Sequence, residues 1–123
     1  MQNIVNKTER EHILVCLSPS PSNERIVRMA GNMAQAFCGS FTALYVQTPG
    51  YAAMNAEDTV RLQANMYLAM QLGAEIVTTH GEDVPTQIAE YARLSDVTKI
   101  VIGRSGIQRQ HFWSEPTLTE RLI

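Results

Sequence analysis

Two serines, Ser18 and Ser20, follow an apolar run, and twenty residues lie between Ser20 and a second apolar run that opens Phe41, Thr42, Ala43, Leu44, Tyr45. A hydroxyl both donates and accepts hydrogen bonds, so serines at a strand end can hold a polar ligand without reacting with it. In open parallel sheets small molecules sit beyond the carboxyl ends of the strands, where backbone donors stop pairing with each other. Serine beside proline is equally an ordinary helix cap, and capping needs no ligand. On the second run Phe41, Ala43 and Tyr45 share one face, with Thr42, Leu44 and Val46 on the other. Phe41 lies ~13 Å before Tyr45 along an extended chain. Phe41 therefore reads as core, and Tyr45 as the better ligand contact.

A second candidate is the turn Gly103, Arg104, Ser105, Gly106 that follows another apolar strand. Glycine lets backbone amides approach an anion closely, and Arg104 with Arg109 could bind phosphate oxygens. The alternative is that both glycines only shape the exit from that strand.

Other chemistry is narrowed by what the chain lacks. His12, His80 and His111 are scattered, with no carboxylate or cysteine at metal-ligand spacing, so no metal site is expected. Neither a phosphate-binding Gly-x-x-x-x-Gly-Lys-Ser/Thr loop nor a Gly-x-Ser-x-Gly nucleophile elbow occurs, and the first strand ends in serine where a phosphoacceptor receiver would need carboxylates. Binding rather than turnover is indicated. A net charge of -2 gives no broad attraction for nucleic acid or anionic lipid. The two cysteines fit a reducing compartment, and no apolar stretch is long enough for a bilayer or a signal peptide.

The elements that must position these residues alternate along 123 residues, of which 45% are hydrophobic, enough for one core. Apolar runs from His12 to Leu17, Phe41 to Val46, Ala74 to Thr79 and Lys99 to Ile102 read as strands. Between them, helical spacing marks Ile26 to Phe37 closed by Gly39, Thr59 to Leu72 capped by Asp58 and ended by Gly73, and a third helix starting near Asp83 with Pro85 in its first turn. Connections this long allow parallel crossovers, so the fold class is α/β, a doubly wound, Rossmann-like, mostly parallel sheet of order 3-2-1-4. Strands one and four then flank the reversal, bringing Ser18 and Ser20 opposite Gly103 to Gly106. Residues 1–11 read as a flexible lead and 12–123 as one domain. Thr117 and Glu120 fit a capping box, Trp113 reads as a loop anchor or a lid, and Met29, Met33, Met66 and Met70 read as core filler.

The stretches His12 to Ser20 (HILVCLSPS), Phe41 to Tyr45, Arg61 to Glu75 (RLQANMYLAMQLGAE), Gly81 to Arg93 (GEDVPTQIAEYAR) and Lys99 to Ser105 (KIVIGRS) together resemble the universal stress protein domain of KdpD-type potassium-responsive sensor histidine kinases. Gram-positive members carry a motif associated with cyclic di-AMP, Ser-x-Ser, twenty residues, then Phe-Thr-Ala-x-Tyr. Ser18, Ser20, Phe41, Thr42, Ala43 and Tyr45 occupy all of its positions.

The resemblance implies a cytoplasmic regulatory domain of a membrane kinase that binds a cyclic dinucleotide and contacts other domains of its parent, with no enzymatic activity of its own. Docking of another universal stress protein without any nucleotide is the alternative, supported by the apolar loop Tyr51 to Met54. ATP-binding members carry Gly-x-x-Gly, nine residues, then Gly-Ser or Gly-Thr, together with an aspartate at the end of the first strand. Here Pro116 and Thr117 stand at the closing pair and Ser18 in the aspartate's place, which argues against ATP. Family members also add a fifth strand after the helix containing Glu120 to Ile123. Without that strand, the edge beside strand four could admit a second copy as a homodimer.

Overall fold

Strands and helices alternate strictly in the computed structural model, which describes residues 10–49 and 54–102. The order is β1 (His12–Cys16), α1 (Asn23–Phe37), β2 (Ser40–Gln47), α2 (Ala56–Gln71), β3 (Glu75–His80), α3 (Val84–Leu94) and β4 (Lys99–Val101). All strand pairs are parallel and the sheet order is β3-β2-β1-β4, the topology expected from the alternation. The Gly103 to Gly106 turn, Arg109, His111, Trp113, the Thr117 helix, the N-terminal lead up to residue 9 and most of the Tyr51 to Met54 loop lie outside the described residues.

β1 is one of the two inner strands, and its Ile13, Leu14 and Val15 are wholly buried, as a strand covered on both faces requires. Odd residues of β1 and β2 pack with α1 and α2: Ile13, Val15, Phe41, Ala43 and Tyr45 meet Ile26, Ala30, Leu62 and Ala69. The even residues Leu14, Leu44 and Val46 pack on the other face with Ile88 and Ala92 of α3. Each fully buried aliphatic side chain contributes about 1.5–3 kcal/mol, so this two-sided core dominates the stability.

Three local expectations are corrected. α2 starts three residues early, at Ala56, because the Asn55 side chain accepts from the Asp58 amide at 2.7 Å; Asp58 sits in the first turn instead of capping. α1 is closed by Cys38, whose φ of 53° is left-handed, and not by Gly39. Gly39 serves close packing instead, since a Cβ there would stand 2.4 Å from the Glu11 carbonyl oxygen. Met33 and Met66 pack on the core, but Met29 and Met70 fall off the buried helical stripes and are about half exposed, at 48% and 54%.

The amino edge of the sheet carries a polar network. His12 Nδ1 lies 2.9 Å from the Ser95 carbonyl oxygen, which can only accept, so Nδ1 donates there; Nε2 meets the Thr42 hydroxyl at 2.8 Å. The Thr98 hydroxyl accepts from the His12 amide and donates to Glu11, which also pairs with Lys99 at 3.6 Å. Lys99 in turn lies over the Phe37 ring, 5.4 Å from its centroid.

Candidate functional site

Beyond Cys16 the chain leaves β1 through Leu17, Ser18, Pro19, Ser20, Pro21 and Ser22 before α1 begins. Both prolines lack an amide, so this loop has few donors of its own and its carbonyls need partners from elsewhere. Asn23, only 2% exposed, supplies the first: its Oδ1 accepts from the Ser18 amide at 3.2 Å and its Nδ2 donates to the Cys16 carbonyl at 3.1 Å. From α2, Asn65 Nδ2 donates to the Ser18 carbonyl at 2.9 Å and Arg61 Nη1 to the Pro19 carbonyl at 3.1 Å.

Within the loop the serine side chains turn back on the backbone. Ser18 Oγ accepts from the Ser20 amide at 3.2 Å, and Ser20 Oγ accepts from the Ser22 amide at 3.3 Å and lies 2.9 Å from Ser22 Oγ. An oxygen that accepts one amide still has a proton and a second lone pair to offer, so the local turn orients Ser18 Oγ without exhausting it. Ser22, the residue before α1, makes no side-chain capping bond to the helix.

A cavity of about 140 Å³ opens where β1 and β4 part, lined by Cys16, Ser18, Ser20, Asn23, Ile88 and Ile102 among others. Its lining is mixed, aliphatic from Leu17, Val84, Ile88 and Ile102 and hydroxylated from Ser18, Ser20 and Ser22. Burial pushes the Cys16 thiol up to about 12, so it lines this cavity as a neutral thiol at ordinary pH.

A second cavity of about 140 Å³ lies past the carboxyl half of β2 and β3 under α2, lined by Tyr45, Gln47, Thr59, Leu62, Gln63, Met66 and Thr78. Tyr45 pairs in register with Thr78, and both side chains face α2. The candidate residues thus divide. Ser18 and Ser20 share the first cavity and Tyr45 lines the second. Phe41, Thr42 and Ala43 border neither cavity. They start β2, opposite Ile13, Leu14 and Val15, where Phe41 and Ala43 join the core and Thr42, 2% exposed, is engaged by His12. The period of two that puts Phe41 and Tyr45 on one face also puts Thr42 on the face of α3, so Thr42 and Tyr45 do not line one cavity.

Asn23, Asn65 and Arg61 escaped the sequence reading. The available signal was Asn65, a polar residue on the stripe of Leu62, Met66 and Ala69, where a buried amide must find a partner. Among the described residues no group of three or more His, Cys, Asp or Glu could hold a metal ion, and no helix is long and apolar enough to cross a membrane.

This geometry has relatives. A model described as the universal stress protein family matches residues 9–114. The sensor protein KdpD of Clostridium acetobutylicum is 44% identical over 95 residues, covering 77% of this chain and 10% of that protein. The sensor protein KdpD of Escherichia coli is 29% identical over 113 residues, covering 92% of this chain and 12% of that protein. The chain therefore spans about a tenth of the length of these relatives. A crystal structure of a universal stress protein in complex with cAMP shares the fold, with a TM-score of 0.61 and 23% identity over 91% of this chain and 89% of that one.

Proposed function

We propose, from the premise that this chain belongs to the universal stress protein family, that it is the cytoplasmic nucleotide-sensing domain of a membrane sensor kinase and that its ligand is cyclic di-AMP. The observation that carries the reading is the cavity at the β1–β4 fork, lined in part by Ser18 and Ser20 with hydrogen-bonding capacity to spare. The Tyr45 cavity nearby offers a flat aromatic wall with Gln63, Thr59 and Thr78 for a base edge. Arg104 and the Gly103 to Gly106 turn would supply phosphate contacts. No bond is made or broken in this reading. The ligand acts on its parent by binding one conformation of the whole sensor more tightly than another. The fold neighbour in complex with cAMP supports a nucleotide as the ligand class.

A second reading, a protein-docking module without nucleotide, is favoured by one observation. α2 exposes Val60, Tyr67 and Met70 at 65%, 61% and 54%, more apolar surface than a solvated helix face needs.

Calorimetric titration of the 123-residue chain with cyclic di-AMP, cyclic di-GMP and ATP separates the two readings. Heat of binding is expected with cyclic di-AMP, and Ser20→Ala should weaken it about tenfold, the loss of roughly one good hydrogen bond, while Tyr45→Leu, which removes the aromatic wall but keeps the core filled, should weaken it by about the same factor. Absence of heat with all three nucleotides would leave the docking reading standing.

A further inference from the structure

The loop that presents Ser18 and Ser20 is tied at two carbonyls to a helix more than forty residues further along the chain. Asn65 is 5% exposed, and an amide buried that deeply is costly unless bonded; its Nδ2 reaches the Ser18 carbonyl at 2.9 Å. Arg61 is aimed by its own helix. Asp58 Oδ1 accepts from Nη1 at 3.1 Å and Glu57 Oε2 from Nη2 at 3.4 Å, and the same Nη1 donates to the Pro19 carbonyl at 3.1 Å. Asn23 already satisfies the loop locally at Cys16 and Ser18, so the bonds from α2 add what the loop cannot specify alone, its placement relative to the second crossover. α2 also lines the Tyr45 cavity through Thr59, Leu62, Gln63 and Met66, whereas it reaches the serine cavity only through the loop carbonyls that Asn65 and Arg61 hold.

We infer that Asn65 and Arg61 are positioning residues for the serine cavity, holding the Ser18 and Pro19 carbonyls from α2 so that the serine hydroxyls stand where a nucleotide meets them. The assignment rests on nucleotide sensing as the work of that cavity. Neither residue needs to touch the ligand.

The test is a double-mutant cycle read by cyclic di-AMP affinity on the 123-residue chain. Asn65→Leu and Arg61→Ala should each weaken binding about five- to tenfold, the worth of a buried hydrogen bond. In a Ser18→Ala/Ser20→Ala background, which removes both hydroxyls but keeps the carbonyl that Asn65 holds, Asn65→Leu should add less than about twofold, because residues acting through one another are not additive. Unchanged affinity in both single variants, or full additivity with the double serine substitution, overturns the assignment. Arg61, with a side chain 30% exposed, carries the same test if Asn65→Leu does not fold.

If the unsubstituted chain takes up no cyclic di-AMP, the nucleotide reading fails on its own. Positioning is then read from amide hydrogen exchange at Ser18, Ser20 and Ser22. Faster exchange there in both variants, with β1 still protected, upholds it; unchanged exchange overturns it.

Discussion

Cys16 shows how a side chain of reactive type is turned into packing. Its thiol sits at the carboxyl end of β1 and is pushed from 9.0 to about 12 by desolvation. A folded-state value above the unfolded one means that the unfolded chain loses this proton first as pH rises. The associated stability is therefore complete below pH 9 and is lost between about 9 and 12. In a Cys38→Ser background, thermal melting from pH 7 to 11 should fall more steeply for the parent than for Cys16→Ala, by at most about 1.4 kcal/mol per pH unit above the unfolded value. Parallel curves would show that the thiol ionises freely in the folded chain. Residue types and spacing pointed to Ser18, Ser20 and Tyr45, which line cavities, because the serines follow β1 and Tyr45 lies in the carboxyl half of β2. Asn23, Asn65 and Arg61 stayed hidden because their partners are backbone carbonyls, which leave no mark on the residue pattern.

At the level of elements, periodicity located every strand and helix of the described chain, and its errors sit at the ends, where side-chain detail decides. α2 is the instructive case. Both Asn55 and Asp58 are good capping residues, and the choice between them turned on which side chain could reach an amide three residues on. Asn55→Ala should cost about 1 kcal/mol, seen as a drop of roughly 4 °C in melting temperature, while Asp58→Ala should leave the helix start in place and cost only its pair with Arg61. Equal losses from the two substitutions would return the cap to Asp58. The third helix was read more closely because Asp83 and Pro85 leave a single place to begin: the Asp83 carboxylate accepts from the Thr86 amide at 3.3 Å.

For the whole molecule, strand order was legible since the β-α alternation with right-handed crossovers is that of doubly wound sheets, whose usual reversal lies between strands one and four, and order in turn placed the serine loop beside β4. Met29 and Met70, unlike Met33 and Met66, fall outside the core they were expected to fill, because composition says that a residue is apolar but only the packed helices decide which stripe is inside. Leu14→Ala, wholly buried between β2 and β4, should therefore cost about 2–5 kcal/mol in chemical denaturation, against about 0.5 kcal/mol or less for the half-exposed Met29→Ala. Similar costs for both would mean that the described core is not the stabilising one. The two ends of the sheet are also built unequally. His12, Thr42, Ser95, Thr98, Glu11 and Lys99 rivet the amino edge, while both hollows lie toward the carboxyl edge. Spreading the carboxyl rim would break none of these amino-edge bonds, so the seam that keeps the strands in register is separate from the hollows, like the closed end of a clothes-peg.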